Sequence, residues 1–521
     1  MRESMWQGPK RIALINPPSF FLTDDKVFFS LGLLNIAGVA LEAGHHVDLY
    51  DLAGRRDYEM QARSIAQKHY DIYGLTATSP QFSYAINILQ SIKEADRASR
   101  VIVGGPHATM FADLRRKRLE QFGLEEKVYE SDVNFQSLER FDQIIEGEEF
   151  GIFEALKSLG NPSPEKWVYA GTFDNLDELP FLPRELIDMK SYLFKDDGRP
   201  KFEINGGPAT SILSQRGCPF NCNFCSGRNI PQYRHIKSRE TGKIRAYSPE
   251  RIVAELNHVN QKFPLVTGFM FYDDELNLEV RTTMALMEAL EKNNKEREKL
   301  NEAPYSFRGF VKSELFVRHP EIAPAMRRAG FNILLTGFES GSDRILTNYV
   351  KKNTTTAINY RMAELAFQND IQIKALAMMG HPTETIEDVK QTRDLIEKVG
   401  NLAQKHNMPW DFDLTILTPY PGSKVYDDLR KNTGIFSDQF QKVLGEGELY
   451  VKEVDFARET APYKTAPGEN VVHVRTATLS SEALLELRDE IDDKLRTTYG
   501  LRRYTRDNAI KSIEHSMGQT G

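Results

Sequence analysis

The chain is poor in cysteine: 521 residues hold only three. No apolar run approaches the ~20 residues that cross a bilayer. The opening stretch, Met1 to Lys10, lacks the apolar core of a secretory signal. Membrane and export are therefore not indicated, and the expected location is the cytoplasm, where thiols serve metals rather than disulfides. Positive charge is also in short supply. Sixty-seven Lys and Arg face 74 Asp and Glu, for a net charge of −7, which removes the usual electrostatic case for a nucleic-acid partner. No repeat of roughly 20–50 residues and no low-complexity segment is present. What remains is an ordinary globular composition, 40% hydrophobic and 27% charged, long enough for about three domains at ~150 residues each.

All three cysteines fall in one stretch, Gly217-Cys218-Pro219-Phe220-Asn221-Cys222-Asn223-Phe224-Cys225. A 4Fe–4S cube is normally held by four cysteine thiolates. Three would leave one iron without a protein ligand, and the chain has no fourth cysteine. An open iron is free to take a substrate. A structural zinc site asks for four ligands, and no histidine lies close by in sequence. A disulfide would leave an odd thiol.

The C-x3-C-x2-C spacing, with Phe224 just before the last cysteine, resembles the signature of radical S-adenosylmethionine (SAM) enzymes. The resemblance implies that Cys218, Cys222 and Cys225 bind the cluster and are catalytic. It implies that SAM chelates the open iron and that one electron cleaves it to a 5′-deoxyadenosyl radical. The electron would come from a donor such as flavodoxin or ferredoxin.

The N-terminal third alternates short apolar runs with amphipathic helices. Strands are expected at 11–16, 46–50, 71–75 and 101–104, and helices at 31–43, 57–69 and 83–95, the first ending at Gly44. This pattern means βαβ units and a parallel sheet, whose ligands bind at the C-terminal strand ends. Those ends carry Asn16-Pro17-Pro18, Thr76-Ala77-Thr78-Ser79, Gly104-Gly105-Pro106-His107 and Glu146-Gly147-Glu148-Glu149. No G-x-G-x-x-G appears, so a dinucleotide is not favoured. The order resembles the cobalamin-binding domain found upstream of many radical SAM enzymes. It implies cofactor contacts from Asn16, Pro17, Thr76, Thr78, Ser79, Gly104, Gly105, His107, Glu146 and Gly147. One departure stands out. The D-x-H-x-x-G motif that ligates cobalt in methionine synthase is absent, and the first loop reads Pro17-Pro18-Ser19-Phe20-Phe21-Leu22 instead. The expected cobalamin is base-off, with no histidine from that loop. For His107, a structural place in its loop or contact with the nucleotide tail stands beside a role as ligand. A flavodoxin-like module with another ligand, or none, is the alternative for the whole domain.

The proline-punctuated stretch 174–186 reads as a crossing segment. A second alternation then begins, with strands at 209–215, 266–272, 306–311, 331–338, 371–378 and 412–417 and helices at 249–262 and 279–293. Ser248 and Pro249 open the first of these helices. Six βα units fall short of the eight of a closed barrel, and an open (βα)6 barrel resembles the radical SAM core. The strand ends are expected to carry the chemistry. Phe224 would pack on the cluster, Asp273 and Asp274 would bind the SAM amino group or substrate, and Glu339 and Ser340 would bind ribose or the amino group. Gly380 would admit adenine, and Tyr420-Pro421-Gly422-Ser423 matches the sixth-strand segment of the family. Helix capping is the bland alternative for a single strand-end residue, and Ser342 is expected to cap the helix after it.

The expected fold class is α/β: a Rossmann-like cobalamin-binding domain (1–165), a linker (166–204), a partial TIM-type radical SAM barrel (205–430) and a C-terminal extension (431–521) that caps the barrel or shapes its entrance. An amphipathic helix is expected at 481–495, and the basic run Arg502-Arg503-Tyr504-Thr505-Arg506 reads as solvated surface. The family implies cobalamin-dependent methylation of an unactivated carbon in a small-molecule or natural-product substrate. A cobalamin-binding oxidative cyclase and a non-catalytic iron–sulfur sensor or electron carrier are the alternatives. A methylthiotransferase would need a second cluster, for which no cysteines remain. No motif names the substrate.

Overall fold

The computed structural model describes residues 8–19, 24–122, 133–148, 151–159, 161, 164–171, 173–226, 244–433, 439–443, 448–458 and 472–502. Phe20 to Leu22, Glu149 and the basic residues Arg503 and Arg506 lie outside them.

Six strands form the first sheet: β1 (Arg11–Asn16), β2 (His46–Asp51), β3 (Ile72–Thr76), β4 (Val101–Gly104), β5 (Gln143–Glu146) and β6 (Trp167–Tyr169). Their order is β2-β1-β3-β4-β5-β6, all parallel. The order in which strands are added reverses between β1 and β3, the switch point where doubly wound sheets bind ligands. Alternate residues of β1 serve two cores. Ile12 and Leu14 pack with Leu33, Ala37 and Ile152 on one face, while Ala13 and Ile15 pack with Ile65, Ile88 and Phe111 on the other. β5 and β6 extend the predicted four strands.

The second sheet holds β7 (Glu203–Ile204), β8 (Gly207–Ile212), β11 (Gly268–Phe271), β12 (Ser306–Phe310), β13 (Phe331–Glu339), β14 (Gln372–Met379) and β15 (Trp410–Ile416) in the order β15-β14-β13-β12-β11-β8-β7. Six of these run parallel and β7 is an antiparallel edge, giving the expected open barrel. Its helix-facing core includes Phe269, Phe271, Phe307 and Phe331, with Phe307 and Phe331 rings 5.3 Å apart. Burying each such ring stabilises the fold by about 1.5–3 kcal/mol. Between β8 and β11 lie two short paired strands, β9 (Gln215–Arg216) and β10 (Arg245–Ala246). The expected single strand over 209–215 is thus split. The amides of Ser214 and Gln215 go to the Asp273 carboxylate instead of to a neighbouring strand. Helix Pro249–Lys262 starts as predicted, with the Ser248 hydroxyl accepting from the Arg251 amide. Ser342 differs from expectation. It stands at the N-cap position, but its hydroxyl is turned to donate to Asp388 at 2.6 Å and accepts from no amide of its own helix.

The C-terminal part holds three short antiparallel strands, β16 (Gln441–Lys442), β17 (Leu449–Val451) and β18 (Val474–Thr476), and the helix Ser481–Tyr499. That helix lies along β15, where the buried Arg496 guanidinium reaches the Phe412 carbonyl at 2.7 Å and Asp411 at 3.0 Å. The intervening chain returns to the first sheet. Val454 and Phe456 enter its core, held by the Asn134 side chain, which donates to the Val454 carbonyl at 3.2 Å and accepts from the Phe456 amide at 2.9 Å.

Candidate active site

The cysteine loop leaves β8 and is fixed at both ends. At its start, Asp273 accepts from the Ser214 and Gln215 amides at 2.8 and 3.0 Å and from the Ser214 hydroxyl at 2.5 Å. Burial pushes the Asp273 carboxyl up to about 7. At its far end, the Asn223 amide donates to the Val350 carbonyl at 3.2 Å, and its side chain donates to the Tyr349 carbonyl at 2.8 Å. Cys222 is buried, while Cys218 and Cys225 are half-buried and all three are free thiols. Burial pushes the Cys218 thiol up to about 12 and the Cys222 thiol upward, so only bound cations would hold them as thiolates.

Among the described residues no three His, Cys, Asp or Glu side chains close on one point, as a single-ion site requires. A cube asks for something else, since its cysteines bind three separate corners. Three thiols on one clamped loop are the donor set it needs, so the loop fits a 4Fe–4S cluster.

The strand ends around the loop are charged and buried. Glu339 takes a left-handed backbone (φ 59°) and pairs with Lys352 at 2.9 Å. Lys352 also reaches Glu275 at 3.4 Å. Burial works against the Lys352 ammonium, but Glu339 and Glu275 hold it above the ordinary lysine range. Gly337 leaves room for this pair, since a Cβ there would stand 2.0 Å from Glu339 Oε1. Lys312 lies beside them, its Nζ 4.0 Å over the Phe220 ring. Ser340 is fully buried and accepts from the Ser342 amide at 3.1 Å. Asp274 is exposed at the same edge.

Phe224 packs with Ile345, Leu346 and Val350, and its ring is 6.4 Å from that of His381. The His381 Nε2 is buried without a partner, and burial pushes its pKa down to about 4, so it faces Phe224 as a neutral acceptor. Polar and aromatic groups of this kind would suit the adenine of SAM. Gly380 has a second reason to be glycine. Its φ is 86°, and a Cβ would sit 2.9 Å from Val474 of β18. Its amide donates to Glu384 at 2.5 Å.

On the first sheet, the edge carries Thr76, Thr78, Ser79, Gly104, Gly105 and Gly147, all partly or fully exposed. A Cβ on Gly105 would meet the Thr76 hydroxyl at 2.5 Å, so glycine there lets the two loops close together. Such an edge of small residues fits a flat macrocycle. Asn16 and Pro17 are buried, and the Asn16 amide donates to Asp51 at 2.8 Å. Glu146 is buried at the end of β5. His107 turns inward. It stacks on Phe82 at 3.9 Å, lies 4.7 Å from Phe111 and meets Phe456 at 5.7 Å. Its Nδ1 bonds the Ser79 hydroxyl at 3.0 Å, and burial pushes its pKa down to about 3. The ring is thus packed among the aromatic side chains of the first sheet's core.

The two edges meet. Glu148, just beyond β5, pairs with Arg216 at 3.4 Å, two residues before Cys218, and also with Arg245. Asp51 at the end of β2 accepts from Tyr192 at 2.7 Å, and Phe28 after β1 packs on Tyr272 at the end of β11, rings 5.3 Å apart. Sequence reasoning did not select Lys312, Lys352, Glu275 or Asn134. Lys312 had a visible signal, its place directly after a barrel strand. Lys352 had none, because it arrives after the π-helical turn Leu346–Val350.

Comparison with known proteins agrees with this arrangement. The radical SAM superfamily model matches residues 212–396 and the B12-binding domain model matches residues 23–129. The chain is 24% identical over 415 residues to an uncharacterized methyltransferase of Pyrococcus horikoshii, covering 79% of this chain and 81% of that protein. It is 21% identical over 414 residues to the anaerobic magnesium-protoporphyrin IX monomethyl ester cyclase of Cereibacter sphaeroides, covering 76% of this chain and 60% of the cyclase. Its fold matches that of the radical SAM methyltransferase TsrM of Kitasatospora setae, solved with tryptophan and a SAM analogue. The TM-score is 0.58 at 16% identity, covering 98% of this chain and 96% of the other.

Proposed function

The chain is a radical SAM enzyme that carries a cobalamin-binding domain, and from that premise we propose that it methylates an unactivated carbon of a small-molecule substrate. The observation that carries the reading is the Glu148–Arg216 contact. It ties the edge of the first sheet to the base of the cysteine loop, which supports cofactor sites that lie next to each other. When bound, cobalamin supplies a methyl carrier, and the cluster with SAM supplies a radical that removes hydrogen. The chain's own work is to hold and exclude. Cys218, Cys222 and Cys225 hold the cluster on a loop that Asp273 clamps. Asn16, Pro17, Thr76, Thr78, Ser79, Gly104, Gly105 and Gly147 form the cobalamin edge. Phe28 packs on Phe202 and on the 45%-exposed Tyr272, an aromatic cluster where the two edges meet. A small one-electron carrier such as flavodoxin or ferredoxin feeds the cluster.

The methyltransferase and TsrM matches support methyl transfer, and the cyclase match favours an oxidative second reading. Single turnover separates the two. The anaerobic, reduced holoprotein is given SAM with a deuterated methyl group and a metabolite extract of the source cells. A product heavier by one labelled methyl is expected. An unlabelled product that has only lost hydrogen would give the case to the cyclase reading.

A further inference from the structure

Lys312 is 1% exposed, and a buried ammonium without an anion costs several kcal/mol. No side chain among the described residues supplies that anion at ion-pair distance. Nζ donates to the Lys352 main-chain carbonyl and stands 4.0 Å over the Phe220 ring. Among the described residues no carboxylate comes within ion-pair distance of it, whereas neighbouring Lys352 has two, Glu339 and Glu275. Lys352 is held by direct ion pairs, whereas Lys312 feels Glu275 and Glu314 only through their fields and has no ion-pair partner of its own among the described residues. Phe220 lies midway between Cys218 and Cys222, so the loop that carries the cysteines is folded over this ammonium. Of the groups that become anionic when the cofactors bind, the Cys222 sulfur is one whose field reaches Lys312.

We propose that Lys312 is the built-in counter-ion of the iron–sulfur cluster and raises its reduction potential. Three thiolates make the bound cluster anionic. One electron from a low-potential donor makes it more so, and a fixed positive charge stabilises the reduced form over the oxidised one. Net charge and nearby dipoles are the levers by which a protein sets such potentials. Lys312 is thus a positioning residue for the electron, with no bond to substrate. The inference needs the cluster but not methyl transfer, so failure of the labelling experiment leaves it standing.

The test is an EPR-monitored redox titration of the full-length protein, reconstituted anaerobically with iron and sulfide and without SAM. Lys312→Gln removes the charge and keeps a donor for the Lys352 carbonyl, Lys312→Met removes both, and Lys312→Arg keeps the charge. Both neutral variants should be at least tenfold harder to reduce, about 59 mV for one electron, with Lys312→Arg close to wild type. Should one neutral variant fail to retain its cluster, the other decides. An unchanged potential with weakened SAM binding would assign the ammonium to the SAM carboxylate and overturn the proposal. Equal shifts in Lys312→Gln and Lys312→Arg would also overturn it, since packing rather than charge would then be responsible.

Discussion

Glu384 offers a sharp test of the electrostatics behind β14. Its side chain is fully buried, with Oε2 taken by the Gly380 amide and Oε1 left without a partner. Burial pushes its carboxyl from 4.5 up to about 8. The native state therefore holds a proton that the unfolded chain releases once pH passes 4.5, and stability falls as pH rises through that window. At 1.36 kcal/mol per pKa unit, the loss between pH 6 and pH 8 is about 2 kcal/mol. Glu384→Gln does not titrate. Its buried amide leaves an unpaired donor at every pH, a cost of about 1–3 kcal/mol that does not vary with pH. Between pH 6 and pH 8 the variant should therefore gain about 2 kcal/mol on wild type, or roughly 4–8 °C in melting temperature for a unit of the barrel's size, and the gap between the two should move by that amount. The assay is a thermal melt of wild type and variant holoprotein across that range. A gap that does not change with pH would refute the reasoning.

Four further outcomes follow from packing. Gly341→Ala would place a Cβ 2.1 Å from the Gln391 carbonyl oxygen and 2.5 Å from Thr392 Cα; backbone cannot swing aside, so a loss of about 3 kcal/mol or more is expected in melting. Gly32→Ala, in a helix with open space around it, should instead be neutral or gain up to about 1 kcal/mol. Asn134→Ala leaves the Val454 carbonyl and the Phe456 amide unpaired, at about 1–3 kcal/mol for each group, and limited proteolysis should then cut near residues 454–458 sooner than in wild type. Arg184→Met removes the more buried of the two guanidinium partners of Glu255, which keeps Arg251 at 3.0 Å, and should cost less than the roughly 3–5 kcal/mol of a fully orphaned buried charge, part of it recovered when Glu255→Met is added.

Much of this was legible because it is local. The strand Arg11–Asn16 and the helix Pro249–Lys262 carry their own apolar pattern and caps, and they lie where expected. The cysteine loop is a single contiguous motif. Less legible were features set by partners far away in sequence. Ser342 looked like a cap until Asp388, 46 residues on, offered a better acceptor. Gly380 read as a ligand glycine, yet it also makes way for Val474. The Glu339–Lys352 pair depends on an unusual turn that no periodicity announces. Strands of two or three residues, such as β6 and β16 to β18, are too short to show a period of two.

The bracket between Asn134 and Val454–Phe456 has a consequence for how the protein is made. The first sheet's strands are complete once residue 169 has been synthesised, but Phe456 belongs to the same core as His107 and Phe111, and its hydrogen-bond partner stands 322 residues earlier. At roughly 5–20 residues per second, the ribosome delivers that side chain about 16–64 seconds after Asn134. During that interval the N-terminal unit stands with an unfilled place beside His107. A chain released before residue 456 would therefore lack part of its first domain's core as well as its tail.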